Sequence, residues 1–265
     1  MFKQRFWTAL VLIPLVLLLI KQASPWVLGF LTMAFVIAAG WEWLMLIPLT
    51  KRVGKVLFLV SICVFSWLCM SVLCAWLVAG LLIWGLIAIA VLTYPRSQTI
   101  WGKPWVVGGV CVVLLPLVFG VIAAIYHQPQ GKDLIIYLFG LVWATDIGAY
   151  LVGKQWGAHR LIPQVSPGKT VEGALGGFVL AMLVAGLGLI WFSPAFKVAW
   201  FGLAVSTVLI SILGDLFISM LKRRCQLKDT GALFPGHGGV LDRLDSFIAA
   251  APLLYAGLCV WPLGG

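Results

Sequence analysis

Apolar residues form long, nearly unbroken runs along this 265-residue sequence, and most charged residues lie in the short stretches between them. A helix of about 20 apolar residues is long enough to cross the hydrocarbon core of a bilayer. The first run is short for a full span, and no charge marks the turn between the third and fourth runs, near residues 74–76. The pattern predicts an all-α, polytopic membrane protein with about nine transmembrane helices, at residues 6–20, 25–47, 56–73, 76–94, 105–126, 133–152, 170–192, 198–220 and 244–262.

Composition excludes a water-soluble globule. Hydrophobic residues make up 63% of the chain and charged residues only 10%, and the mean hydropathy is +1.11. The net charge of +10 would suggest nucleic acid in a soluble protein. In a membrane protein it is explained first by basic cytoplasmic loops next to anionic lipid, so we expect no nucleic-acid partner.

The distribution of basic residues predicts the orientation. With nine helices and a cytoplasmic amino terminus, fifteen of the eighteen Lys and Arg residues fall on the cytoplasmic side, and only Lys21, Lys132 and Lys197 fall outside. This asymmetry agrees with the positive-inside rule. We interpret residues 1–130 as transmembrane scaffold helices and residues 131–265 as a catalytic transmembrane region with cytoplasmic loops at 153–169 and 221–243.

Seven of the eight carboxylates gather toward the predicted cytoplasmic side, and only Asp133 lies at an outer helix end. Glu42, Asp146 and Asp215 lie inside helices, roughly 7–12 Å from the cytoplasmic ends by helical rise. Acidic residues within membrane spans are costly and usually functional. The three acidic residues lie at a similar depth near the cytoplasmic side. This arrangement favours a site open to the cytoplasm over an ion path across the bilayer. For Glu42 we expect a structural pair with a Lys or Arg.

The stretch 211–245 is the most highly charged part of the chain and holds four of the eight carboxylates. Ser211, Asp215 and Ser219 recur at i, i+4 and i+8, so they share one helix face, and Lys222 continues it. One interpretation is that this polar face only forms hydrogen bonds to a neighbouring helix. Its direction into a charged loop favours a binding site instead.

The end of the same stretch combines acids with glycines. Asp242 and Asp245 begin the last predicted helix, where acids also suit the helix dipole. Their position beside Gly238 and Gly239, which permit close backbone approach, favours a metal-binding pair. His237 could contact a phosphate or a base, or have no role in binding.

The segment 165–177, VSPGKTVEGALGG, places Ser166, Lys169 and Thr170 at a helix start. Free N–H groups and a lysine there make an anion site, although the full P-loop pattern is absent. Gly173 and Gly177 form GxxxG, which favours a helix-packing face.

These residues resemble the signature of the bacterial phosphatidate cytidylyltransferase (CDP-diacylglycerol synthase) family. The resemblance rests on Ser219-Met-Leu-Lys222-Arg223, Lys228-Asp229 and the run from Pro235 to Asp245, with support from SPGKTVEG and TDIGAY. It implies the reaction of CTP with phosphatidate to give CDP-diacylglycerol and pyrophosphate at the bacterial inner membrane. It also implies Mg²⁺, with a second metal or K⁺, and a homodimer.

Carried onto this chain, the resemblance and the patterns above give an assignment of site residues. The expected catalytic residues are Asp242, Asp245, Lys169 and Lys222. The expected metal ligands are Asp215, Asp242 and Asp245, supported by Asp146 and Asp229. The residues expected to bind CTP and the lipid phosphate are Ser166, Thr170, Ser219, Arg223, Lys228, His237, Gly238, Gly239 and Arg243.

Two other functions use the same features. A CTP-dependent polyprenol or phytol kinase also needs a basic metal site facing the cytosol, but its alcohol acceptor requires a general base. A phosphate monoester is near its dianion at neutral pH, so it can attack without a general base. An ion-coupled transporter could instead use Glu42, Asp146 and Asp215.

Overall fold

The computed structural model describes residues 14–231 and 238–263. Within these residues, eight helices are long and apolar enough to cross a membrane. Residues 14–22, where the described chain begins, are helical and are labelled α1. The helices that follow are α2 (Pro25–Trp43, extended by a 3-10 turn at Leu44–Leu46), α3 (Arg52–Ser71), α4 (Leu73–Leu92), the short α5 (Gln98–Trp101), α6 (Pro104–Tyr126), α7 (Gly131–Trp156), α8 (Val171–Phe192), α9 (Lys197–Arg224) and α10 (Leu241–Val260).

The eight long helices coincide with eight of the nine predicted spans, which confirms the predicted fold class. The first predicted span lies mostly outside the described residues. The break between α3 and α4 falls at Val72, slightly before the predicted turn. α7 and α9 continue four residues beyond their predicted ends. The backbone N–H and C=O groups of a helix bond to each other whether or not its side chains are apolar, so a helix can extend past the apolar run. The two polar connections are therefore 157–170 and 225–240.

A small β-hairpin occupies the first of these connections, which the hydropathy pattern did not predict. β1 (Arg160–Ile162) pairs antiparallel with β2 (Ser166–Thr170), with Arg160 opposite Thr170. Thr170 ends the hairpin and caps α8, since its hydroxyl accepts a hydrogen bond from Gly173 N at 3.1 Å. Capping by threonine at this position satisfies one of the free N–H groups of a helix start.

Glycines bring α7 and α8 into close contact. A methyl group at Gly173 would lie 2.8 Å from Ala149 O, and one at Gly148 would lie 2.5 Å from Gly176 O. Small residues let helix backbones approach in this way. The predicted packing role of the Gly173 and Gly177 pair is confirmed, because a methyl group at Gly177 would collide with Thr145 O.

The two ends of the bundle differ in character. At one end, Arg224 donates hydrogen bonds to Gly102 O (2.6 Å) and to Leu46 O, while Arg223 Nε donates to Val165 O (3.3 Å). These bonds tie the connections after α2, α5, α7 and α9 together, and we call this the polar end. At the opposite end, Lys21 pairs with Asp133 at 2.6 Å. Connections predicted to share one side of the membrane thus do so.

Candidate active site

Three carboxylates from three helices lie in the neighbourhood of Lys169 at the polar end, and one of them contacts its ammonium. Asp146 lies on α7, Asp215 on α9 and Asp245 on α10, while Lys169 lies on β2 just before α8. Lys169 Nζ forms an ion pair with Asp215 Oδ2. Asp146 and Asp245 are also near enough to Asp215 and Lys169 for their charges to interact. The charge of Arg243 also acts on Asp146. Two cations do not balance three carboxylates, so this group, the acidic cluster, has the electrostatics to attract a further cation.

The residues of the acidic cluster are partly exposed. Asp146 is exposed and Asp245 is half-buried, and the side chains of Lys169 and Asp215 each retain 27% of their exposure. Asp245 Oδ1 accepts a hydrogen bond from Ser246 N at 2.7 Å. Ser219, one turn beyond Asp215, donates to Asp215 Oδ1 at 3.3 Å, as its predicted helix face requires. The cluster therefore combines restrained carboxylates with access from outside.

A glycine sets the approach of the two helices that carry Asp215 and Asp245. A methyl group at Gly214 would lie 2.9 Å from Ala249 Cβ and would collide with Asp245 O. Because Gly214 has no side chain, the backbone of α10 can lie against α9 beside Asp215. This contact brings the two carboxylates together although 30 residues separate them in the sequence.

A second charged pair joins α9 and α10 nearer the polar connection. Lys222 Nζ lies 2.7 Å from Asp242 Oδ1, and the two side chains are 14% and 8% exposed. Asp242 Oδ2 accepts hydrogen bonds from Thr230 N (2.9 Å) and Gly239 N (3.1 Å). Asp242 is thus bonded through both oxygens. It holds the two described parts of the α9–α10 connection beside the helix start.

The remaining predicted residues are distributed around these two groups. Gly238 has φ +80°, and a methyl group there would lie 2.9 Å from Asp242 Oδ2 and 3.6 Å from Asp229 Oδ1, so Asp229 approaches the Asp242 pair. Ser166 is half-buried, and Arg223, Lys228, Asp229 and Arg243 are exposed. His237 lies outside the described residues.

Glu42 differs from the sequence prediction. Within the described chain, it has hydrogen-bond donors other than the expected Lys or Arg: Val240 N at 2.8 Å and Leu241 N at 2.7 Å. Thr230 Oγ1 also donates to it, at 3.2 Å. The physical reason is that a buried carboxylate is stabilised as well by helix-terminal N–H groups as by a cation. Its position inside an apolar helix was the signal that could have marked it as part of the site.

Glu172 supports the hairpin that carries Lys169. It accepts hydrogen bonds from Ala158 N (3.1 Å) and His159 N, and its Oε1 lies 2.6 Å from His159 Nδ1. The sequence identified Glu172 only as the opening of a helix. Its contacts fix the beginning of the 157–170 connection against α8, so that Lys169 is held between two anchored ends.

The residues of the acidic cluster have the right chemistry for a hard divalent cation, because carboxylate oxygens are the preferred ligands of Mg²⁺. Among the described residues, no three Asp, Glu, His or Cys side chains form a ready-made metal cage. Mg²⁺ in nucleotide enzymes is usually held by one or two carboxylates together with substrate phosphates. The acidic cluster fits that mode of binding, and the predicted ligand set stays a prediction.

Fold and site together define a multi-pass membrane protein with most of its acidic side chains, and many of its basic ones, at one end of a helical bundle. The sequence profile described as the Cytidylyltransferase family matches residues 3–261. The chain belongs to this family, and cytidylyltransferases are nucleotidyltransferases.

Three similar proteins share one name. A phosphatidate cytidylyltransferase of Haemophilus influenzae is 37% identical over 279 residues, covering 95% of this chain and 96% of the relative. One of Pseudomonas aeruginosa is 39% identical over 274 residues, covering 100% of this chain and 98% of the relative. A third, from Staphylococcus aureus, is 45% identical over 129 residues, covering 48% of this chain and 49% of the relative.

Proposed function

We propose that this protein is a phosphatidate cytidylyltransferase that converts CTP and phosphatidate into CDP-diacylglycerol and pyrophosphate. The observation that carries the proposal is the similarity to relatives of that name over 95% or more of the chain. The acidic cluster and the Lys222–Asp242 pair supply chemistry that suits this reaction.

In the proposed reaction, a phosphate oxygen of phosphatidate attacks the α-phosphorus of CTP. The new bond joins that oxygen to the α-phosphorus, and the bond from the α-phosphorus to the bridging oxygen breaks, so that pyrophosphate leaves. The nucleophile is near its dianion at neutral pH, so no strong base has to remove a proton. The main obstacles are repulsion between two anions and in-line alignment.

The basic residues at the polar end would lower that repulsion. Lys169 and Lys222 each pair with a carboxylate at this end, and each keeps further N–H donors for phosphate oxygens. We assign them to the triphosphate and the lipid phosphate, with Arg223, Lys228 and Arg243 at the solvent side. The backbone N–H groups of Gly238 and Gly239 are proposed to lie close to the nucleotide.

We assign Mg²⁺ to Asp215 and Asp245, with Asp146 beside them. When bound, the ion would neutralise phosphate charge and stabilise the departing pyrophosphate. Asp242 and Asp229 stay in the proposed set, with Asp242 also holding Thr230 and Gly239. A second metal or K⁺ at the same cluster remains part of the proposal.

The membrane setting suits a lipid substrate and a water-borne nucleotide. We propose that the polar end faces the cytoplasm of a bacterial inner membrane, because fifteen of eighteen basic residues are predicted on that side. The acyl chains of phosphatidate would stay in the bilayer while its phosphate reaches the acidic cluster. The family resemblance supports a homodimer, which light scattering of the detergent-solubilised protein would test.

The decisive experiment incubates the purified protein in mixed micelles with α-³²P-labelled CTP, phosphatidate and MgCl₂. We expect labelled lipid and pyrophosphate to form in equal amounts, and no labelled lipid to form without phosphatidate. Transfer of the γ-phosphate of CTP to polyprenol or phytol would support a lipid kinase instead. Ion flux in proteoliposomes without nucleotide would support a transporter. Either result without CDP-diacylglycerol formation would overturn the proposal.

A further inference from the structure

We propose that Glu42, on a helix assigned to the scaffold half of the chain, is a positioning residue for nucleotide and metal binding. It joins both described ends of the connection between α9 and α10. The inference rests on the proposed cytidylyltransferase function. Glu42 would act on the reaction through the residues that it holds, without touching the substrate.

The geometry places Glu42 between the two ends of that connection. Its Oε1 accepts the hydrogen bond of Val240 N, and its Oε2 accepts those of Leu241 N and Thr230 Oγ1. Glu42 is 6% exposed and Thr230 is 1% exposed. Residues 230 and 240 are thus held to one carboxylate on α2.

The neighbouring glycines are shaped to this carboxylate. A methyl group at Gly231 would lie 2.7 Å from Glu42 Cδ, and one at Gly239 would collide with both carboxylate oxygens. Any larger residue at either position would displace Glu42 from its donors. The absence of a side chain at Gly231 and Gly239 therefore makes room for the Glu42 carboxylate.

Glu42 and Asp242 hold the same two points of the chain. Thr230 donates through its hydroxyl to Glu42 and through its backbone N–H to Asp242. Gly239 donates its N–H to Asp242, and the next two N–H groups go to Glu42. Movement released at Glu42 would therefore reach Asp242, its partner Lys222 and the residues assigned to the nucleotide.

A carboxylate is required at this position, and a carboxamide does not replace it. Both oxygens of Glu42 accept hydrogen bonds, whereas glutamine offers one acceptor and one donor group. In Glu42→Gln, the NH₂ group would face a backbone N–H, and one helix-terminal donor would lose its partner. Hydrogen bonds to charged groups are stronger than neutral ones, so the isosteric change should have a measurable effect.

The test compares Glu42→Gln with the wild-type enzyme as purified, full-length protein in mixed micelles. We expect kcat/KM for CTP to fall by about 10-fold to 100-fold and the Mg²⁺ concentration for half-maximal rate to rise. The KM for phosphatidate should stay within about 2-fold of the wild-type value. A purely structural role would reduce the yield of folded protein without shifting the CTP and Mg²⁺ dependences.

Two further variants make the test specific. Thr230→Val removes only the hydroxyl donor, and a double-mutant cycle with Glu42→Gln should give non-additive losses, because the two residues share one contact. Asp133→Asn is the control, since it removes an acidic partner of Lys21 at the opposite end, and its kinetic constants should match the wild type. If Glu42→Gln does not fold, Thr230→Val alone is measured, with the same direction of change expected in the CTP dependence.

The outcomes separate this inference from the proposed function. An active wild type with unchanged CTP and Mg²⁺ dependences in Glu42→Gln, or in Thr230→Val where it stands in, would overturn the positioning role and leave the enzyme assignment intact. Additive losses in the cycle would also overturn it. A wild type without CDP-diacylglycerol formation would overturn the proposed function first.

Discussion

Lys222 Nζ lies 2.7 Å from Asp242 Oδ1, across the interface between the last two long helices. Further along the same interface, Asp215 faces Asp245 beside Gly214. The two contacts lie along one interface because α9 and α10 are consecutive helices that run antiparallel. The end of α9 and the start of α10 therefore both lie at the site. The signature residues at the two ends of the 225–240 connection are thereby brought to one place.

Asp245→Asn should reduce turnover by at least about 100-fold, an effect typical of removing one preorganised electrostatic group. The substitution preserves shape, and Asn Oδ1 can still accept the hydrogen bond of Ser246 N. We therefore expect normal yield and a wild-type melting temperature in detergent. The measurement is CDP-diacylglycerol formation per mole of folded protein.

Asp146→Asn should have a smaller effect of the same sign, because Asp146 is the exposed member of the cluster. Its apparent affinity for Mg²⁺ should weaken, measured as the rate against MgCl₂ concentration. Wild-type Mg²⁺ dependence in both Asp146→Asn and Asp245→Asn would remove these residues from the metal site.

Lys222→Met should destabilise the protein by roughly 3 kcal/mol, because it leaves a largely buried carboxylate without its cation. The free energy of unfolding in mixed detergent, followed by circular dichroism, is the measurement. Adding Asp242→Asn should recover most of that stability, since no buried charge remains and Asn can still accept a backbone hydrogen bond. Turnover should stay low in the double variant; full activity there would contradict a chemical role for the pair.

Gly214→Ala should lower activity, because its methyl group would push α10 away from α9 at Asp245. A loss of about 10-fold or more would correspond to a misplacement of the order of 1 Å in the reacting groups. Gly202→Ala is the matched control on the same helix, where a methyl group meets nothing within 4 Å. Alanine there should retain activity and slightly favour the helix. Equal activity in the two variants would show that the α9–α10 approach does not set the site.

The proposed orientation can be measured by cysteine labelling. In a variant whose six native cysteines are replaced by alanine, a single cysteine at Lys228 should react with a membrane-impermeant maleimide only in inside-out vesicles. A single cysteine at Lys197, near the opposite end, should react in intact spheroplasts. The reverse pattern would place the polar end outside the cell and exclude cytosolic CTP as its substrate.

Hydropathy by itself determined the spans and the grouping of the polar connections. Backbone N–H and C=O groups in lipid need hydrogen-bond partners within the protein, and a continuous helix supplies them. The residue pattern also marked Asp215, Lys222, Asp242 and Asp245 as one site, since their spacing along two helices is local information. The hairpin at 160–170 was not predictable from the same pattern, because strands that short carry no hydropathy signal.

Only the tertiary structure decided which of these residues meet. The Lys169–Asp215 and Lys222–Asp242 pairs, and the position of Gly214 against Asp245, depend on helix approach, which no spacing along the chain encodes. Glu42 is the clearest example, because its partners lie 188 residues or more away in sequence. A carboxylate inside an apolar helix reveals that it needs a partner, but packing alone selects backbone N–H groups of a distant helix start over a lysine or arginine.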